Sequence, residues 1–170
     1  MNPTQLSEEL RYNQDPHMKR RRWIIGLSLL GVALGQIVTL YQTGIIHHLP
    51  DPPVGPFDSD KVDASDYGYK RLDTPDAVGM ISTYGITTAL AAAGGVNRAT
   101  DNPALPISLL AKALGDVATN LTLAQEEWKE NKALCFYCQT ATVASVATVA
   151  LAVPEAVAAI KNLLGKKKAA

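Results

Sequence analysis

A chain of 170 residues is enough for one domain, and its sixteen basic and sixteen acidic side chains cancel. That balance leaves no net field to draw nucleic acid, and two cysteines are too few for a disulfide scaffold. Abundant glycine and alanine with few aromatics suit closely packed membrane helices.

Residues 1–22 read as a cytosolic tail, whose polar part, 1–18, marked by Pro3 and Pro16, is a tail or a short surface helix, and which Lys19-Arg20-Arg21-Arg22 closes. No signal-peptide cleavage pattern is expected here, because the uncharged run that starts at Trp23 continues to Ile46 and is long enough to stay as a span. The first span is therefore placed at about 23–46, entered from the cytosol through its basic flank. Gly31 and Gly35 form a GxxxG inside it, which permits close helix contact without naming a partner. An outer loop, 47–75, follows. His47 and His48 at its start read as interfacial, with haem or metal ligation as the alternative. Its prolines oppose regular helix, and the seven aspartates from Asp51 to Asp76 read as a solvated acidic surface.

Thr74-Pro75-Asp76 opens a second span at about 76–94, with Thr74 as the expected N-cap and Gly94-Gly95 as the stop. Val96 to Pro103, carrying Arg98, is a short cytosolic turn. The third span, about 104–125, is the least hydrophobic. Its Lys112 and Asp116 stand one turn apart and can pair, since a charge in a bilayer must face protein or water. A soluble four-helix bundle is the competing reading of that segment. Glu126 to Lys132 forms a short outer turn, and the fourth span runs over about 134–160, with Pro154 placed to kink it. Residues 161–170 are a basic cytosolic tail. The expected fold is all-α: an integral membrane four-helix bundle, residues 23–160, with both termini cytosolic and a long outer loop between helices 1 and 2.

Both cysteines, Cys135 and Cys138, fall where the outer turn meets the fourth span. Cys-x-x-Cys at a first helical turn lets the sulfurs face each other, and the unpaired N–H groups there favour an anionic sulfur. A thiolate attacks a disulfide or adds to a quinone, so a redox pair is expected, with Cys135 the more accessible member. Half of a zinc site reads the same way, but the chain has no second ligand pair, and no metal is expected. Two inert buried cysteines are the remaining alternative.

Four spans, the long first outer loop and Cys135-Phe136-Tyr137-Cys138 at the outer end of the fourth span resemble the vitamin K epoxide reductase family, from about Trp23 to Ile160. The loop Ser59-Asp60-Lys61-Val62-Asp63-Ala64-Ser65 is similar to the family's Cys-x-x-Val-x-x-Ser, with Val62 and Ser65 matching and Thr74-Pro75 near the family's proline step. The chain looks like the small single-domain members found in cyanobacteria. The resemblance implies a membrane thiol–disulfide oxidoreductase, an enzyme coupling its dithiol/disulfide to membrane quinone. It implies that Cys135 exchanges with partners, that Cys138 adjoins the quinone, and that Ser65 faces the site. Tyr84 and Thr142 stand where the family's quinone contacts are sought.

The family's outer-loop cysteine pair, which shuttles electrons to a thioredoxin-like partner, is missing. Ser59 takes the second position, and around Asp51 there is no cysteine. A thioredoxin-like or substrate thiol protein on the outer face is then expected to meet the fourth-span pair directly. The alternative is a relay-deficient accessory subunit of a larger bioenergetic or photosynthetic membrane complex. Either way the resemblance implies a bacterial inner or thylakoid membrane, with the pair on the periplasmic or lumenal side.

Overall fold

The computed structural model describes residues 2–169, with side chains to Gly165. The regular structure of the described residues is helical, and β-structure is confined to one isolated bridge, Phe57 to Leu134. In chain order the helices are α1 (Pro3–Tyr12), α2 (Pro16–Gln42), α3 (Ser59–Asp63), α4 (Asp76–Ala92), α5 (Arg98–Asp101), α6 (Ala104–Asn131) and α7 (Phe136–Ala169), with a 3-10 turn at Asp66–Gly68 after α3. Two of them, α2 and α7, are long and apolar enough to cross a membrane.

α2 begins before the apolar run because Asp15 accepts the His17 N–H at 2.7 Å and Pro16 fits the first helical position. It packs along both α4 and α7; α6 lies on α7, and α4 and α6 touch sparingly. The GxxxG has its partner in α4. A Cβ on Gly31 would lie 2.5 Å from Cγ of Tyr84, and one on Gly35 would lie 3.0 Å from Ile81 Cγ1 and 3.2 Å from its backbone nitrogen, so Gly31 makes room for the Tyr84 ring and Gly35 for the α4 backbone.

Several local expectations differ from what the chain does. Thr74 does not cap α4, which starts at Asp76 behind Pro75. Gln42, the last residue of α2, takes that role: its Oε1 accepts the Ala77 N–H at 3.3 Å and its Nε2 donates to Asp76 at 2.8 Å. The expected outer turn at 126–132 is mostly helix. Glu126 and Glu130 pair with Arg71 and Lys70 of the loop, carrying α6 on to Asn131 until Lys132 enters the left-handed region at φ 53°. α7 continues through Pro154 to Ala169, and the Lys166, Lys167 and Lys168 side chains expected in the basic tail lie outside the described residues.

The expected turn after α4 is an ionic knot. Arg21 donates to the carbonyls of Ala91, Ala92, Ala93, Gly94 and Gly95 at 2.7–3.2 Å, so one guanidinium answers the unpaired C-terminal carbonyls of α4. Arg98, buried on α5, meets Glu155 of α7 in a two-pronged pair at 2.8 and 2.6 Å. This knot ties α2, α4, α5 and α7 together at the end opposite the cysteines.

Candidate active site

The N-terminus of α7 is held by the outer loop. Leu134 donates its N–H to Pro56 and accepts from Asp58, at 2.9 and 3.1 Å. The Phe57 and Phe136 rings meet edge-on at 5.5 Å, and the Tyr137 hydroxyl donates to the Pro50 carbonyl at 3.0 Å. Leu49, Val62 and Tyr67 complete an apolar plug with Ala133 and Cys135. The loop folds down because these side chains would otherwise stay in water, and its polar residues follow them. Asp51 and Ser59 illustrate this: Asp51 accepts the Ser59 N–H and hydroxyl, each at 2.6 Å, and the Ser59 oxygen accepts the Phe136 N–H at 2.9 Å. The acidic loop is thus only in part a solvated surface, with Asp58, Asp66 and Asp73 exposed. Asp51, Asp60, Asp63 and Asp76 are turned to partners or buried, Asp60 accepting from the Leu49 N–H at 2.7 Å and facing His48 Nδ1 at 2.6 Å.

Cys135, just ahead of α7, is fully enclosed at 0% exposure, whereas Cys138, one turn on, is half-buried. The expectation that Cys135 is the accessible sulfur is corrected by this geometry, because the plug closes over the terminus. Both thiols are free, and the Cys138 N–H donates to Cys135 Sγ at 3.2 Å. Two acids stand beside them. Glu127 of α6, buried at 2%, accepts the Cys135 N–H and the Gln139 side-chain N–H, each at 3.2 Å, and so caps α7 from a neighbouring helix. Loss of hydration pushes Glu127 up to about 7, against the pull of those two donors. Asp63, at the end of α3, offers an oxygen that lies with both sulfurs within 4.8 Å of one another. Burial raises Asp63 to about 7, the Cys135 thiol opposing that shift and the acids Asp76, Glu127 and Asp51 adding to it. Asp63 Oδ2 has no hydrogen-bond partner among the described residues.

Cys138 opens into a cavity of about 350 Å³ between α4, α6 and α7, lined among others by Met80, Tyr84, Asn120, Leu123 and Thr142. Apolar walls with few polar groups and a volume of this size suit a small organic ligand. The Tyr84 hydroxyl lies 2.6 Å from the Ala141 carbonyl and 2.7 Å from Ser145 Oγ, with Asn120 donating to that same Oγ at 3.2 Å. Thr142 donates its hydroxyl to the Cys138 carbonyl at 2.9 Å. Deeper in the wall, Lys112 Nζ lies 2.6 Å from Asp116 Oδ2 and bonds Thr83 and Thr87, so the expected ion pair forms and is fully partnered. Arg71, Leu72 and Thr74 border the cavity on the loop side, where Leu72 and Asp73 sit consecutively at φ 57° and 49°.

A family model described as the vitamin K epoxide reductase family matches residues 22–153. The chain belongs to that family. No curated protein and no solved structure matches it. Membership supports a membrane-embedded, thiol–disulfide oxidoreductase-like protein related to quinone chemistry. In the loop, Asp51 and Ser59 are bonded to each other and, through Ser59, to the residue next to Cys135.

Of the residues expected at the site, Cys135, Cys138, Tyr84 and Thr142 come together, the last three on the cavity wall. Ser65 does not join them; its hydroxyl donates to the Val62 carbonyl at 2.6 Å, and it is not on that wall. Asp63, Glu127, Asn120 and Gln42 were not singled out by sequence. Asp63 was readable only as an acid one residue after Val62 in the matching loop, and Glu127 as one of several acids ahead of the cysteines.

Proposed function

We propose that this protein is a quinone-linked thiol–disulfide oxidoreductase in which Cys135 and Cys138 are the working couple. In this reading α2, α4, α6 and α7 all cross the membrane, both termini lie in the cytosol, and the cysteines lie near the periplasmic or lumenal face. The knot of Arg21 and Arg98 at one end and the aspartate-rich loop at the other support that orientation.

The observation that carries the proposal is the junction of Cys138 with the cavity. Met80, Tyr84, Asn120 and Cys138 share the cavity wall and would hold a quinone there. Cys135 lies behind Cys138, shielded from the ligand, and closes onto it to form the disulfide. A bound quinone would supply the two-electron acceptor; the chain supplies a dry wall, an oriented sulfur and a second sulfur to resolve it. A thiol protein on the outer face exchanges with Cys138 at the Arg71–Thr74 side, since Cys135 is closed off and the loop has no relay.

The test is protection. With reduced full-length protein in lipid nanodiscs, a short-chain benzoquinol should slow maleimide labelling of Cys138 at saturating ligand. Labelling that is indifferent to quinol would remove the cavity from the mechanism.

A further inference from the structure

Oxidising a dithiol strips a proton from each sulfur, and one of these sulfurs is sealed from water. Cys135 has no exposed surface, so its proton must first pass to a protein group. Three groups are near enough to consider. The Ser59 hydroxyl is committed to Asp51 and to the Phe136 N–H. Glu127 is committed to the Cys135 N–H and Gln139. Asp63 remains: it faces the Cys135 thiol, its oxygen shares a cluster within 4.8 Å with both sulfurs, and its Oδ2 is buried without a partner.

We propose that Asp63 is the acid–base residue of the cysteine pair, taking the Cys135 proton as that sulfur closes onto Cys138 and returning it when the disulfide is reduced. This rests on the redox reading above and adds to it a residue for which the family pattern offers no precedent in the matched loop residues. In the oxidising direction two S–H bonds break, one S–S bond forms, and two electrons pass to the quinone. Two protons complete the quinol. Those two protons match the two that the thiols release, and Asp63 holds the one from Cys135 in transit.

The surroundings suit the role. The acids Asp51, Asp76 and Glu127, the phenols of Tyr41, Tyr69 and Tyr137, and the two thiols face Asp63 from the loop, α2, α4, α6 and α7. Crowded by acids and cut off from water, the carboxyl changes protonation at about 7, where it can both accept and release a proton. The Lys112–Asp116 pair in the cavity wall is less suited, because Asp116 is neutralised by its partner and lies away from Cys135.

The test separates this role from quinone chemistry by using 4,4′-dithiodipyridine as oxidant. Reduced full-length protein in nanodiscs should release thiopyridone in two phases: first as Cys138 forms the mixed disulfide, then as Cys135 displaces the second thiopyridone. The second phase in the wild type should show a pH inflection near 7. Asp63→Asn should slow that phase on the order of a hundredfold at pH 7 and abolish the inflection, while the variant still forms the mixed disulfide in the first phase. A wild-type second phase without an inflection between pH 6 and 8 overturns the proposal, even if Asp63→Asn fails to fold. So does a folded Asp63→Asn protein that keeps the wild-type profile. Failure of benzoquinone to oxidise the pair, with this behaviour intact, overturns the quinone reading and leaves Asp63 in place.

Discussion

Replacing Gly31 by alanine puts a methyl group 2.5, 2.6 and 2.8 Å from Cγ, Cδ1 and Cδ2 of Tyr84. Those atoms are the root of a buried ring, so the ring must retreat by roughly 1 Å to regain ordinary carbon contact. The Tyr84 hydroxyl bonds Ala141 and Ser145 at 2.6 and 2.7 Å, and a shift of that size breaks or stretches both. Overpacking costs about 1–3 kcal/mol, and the disturbed buried hydroxyl adds a further ~1–3 kcal/mol. Alanine returns about 1 kcal/mol of helix propensity, so the expected net loss is about 1–5 kcal/mol. A Cβ added at Gly26, on the same helix, would meet nothing within 4 Å, so Gly26→Ala is the control and should be neutral or stabilising. Unfolding in detergent followed by circular dichroism reads both. In a Tyr84→Ala background the Gly31→Ala penalty should nearly vanish, because the clash has lost its partner. If Gly31→Ala is as benign as Gly26→Ala, the packing of α2 on α4 is wrong, and with it one wall of the cavity.

Four further outcomes follow from the same contacts. Asp116→Leu alone should cost about 3–5 kcal/mol by stranding Lys112, whereas the double change of Lys112 and Asp116 to leucine should cost far less, read by the same unfolding assay. Asp63 and Glu127 are both raised to about 7 on folding, so the folded state binds protons that the unfolded chain has released. The stability these two groups contribute should therefore be fully present below about pH 4 and be lost, on the order of several kcal/mol, as pH rises from there through about 7, and Asp63→Asn should flatten that fall. Ser59→Ala should cost about 1–3 kcal/mol by unpairing the Phe136 N–H and Asp51. Asp51→Cys with Ser59→Cys should instead speed exchange with an external dithiol, since a cysteine at position 59 stands next to Cys135; unchanged exchange kinetics would count against that placement.

Much of the helical plan was legible because it rests on local signals. The uncharged run from Trp23 sustains α2, although that helix starts earlier, at Pro16 behind Asp15, and Lys112 and Asp116 pair at the spacing of one helical turn. The cysteine pair announced itself by spacing alone. What stayed hidden depends on the loop folding back. A row of aspartates reads as solvated until Leu49, Val62 and Tyr67 draw it into the core, after which Asp63 is buried and Asp51 bonded. The same plug reverses the expected accessibilities of Cys135 and Cys138, which no local rule about helix termini contains. Arg98 and Glu155 are 57 residues apart, so the ionic knot is a product of tertiary packing.

The most direct measurement of the central claim is stoichiometric. Fully reduced protein in anaerobic nanodiscs, given a short-chain benzoquinone, should lose two thiols per chain and form one quinol, with mass spectrometry finding the bond between Cys135 and Cys138. Neither Cys135→Ser nor Cys138→Ser should yield that bond. Two thiols that persist in the presence of excess benzoquinone would contradict the account.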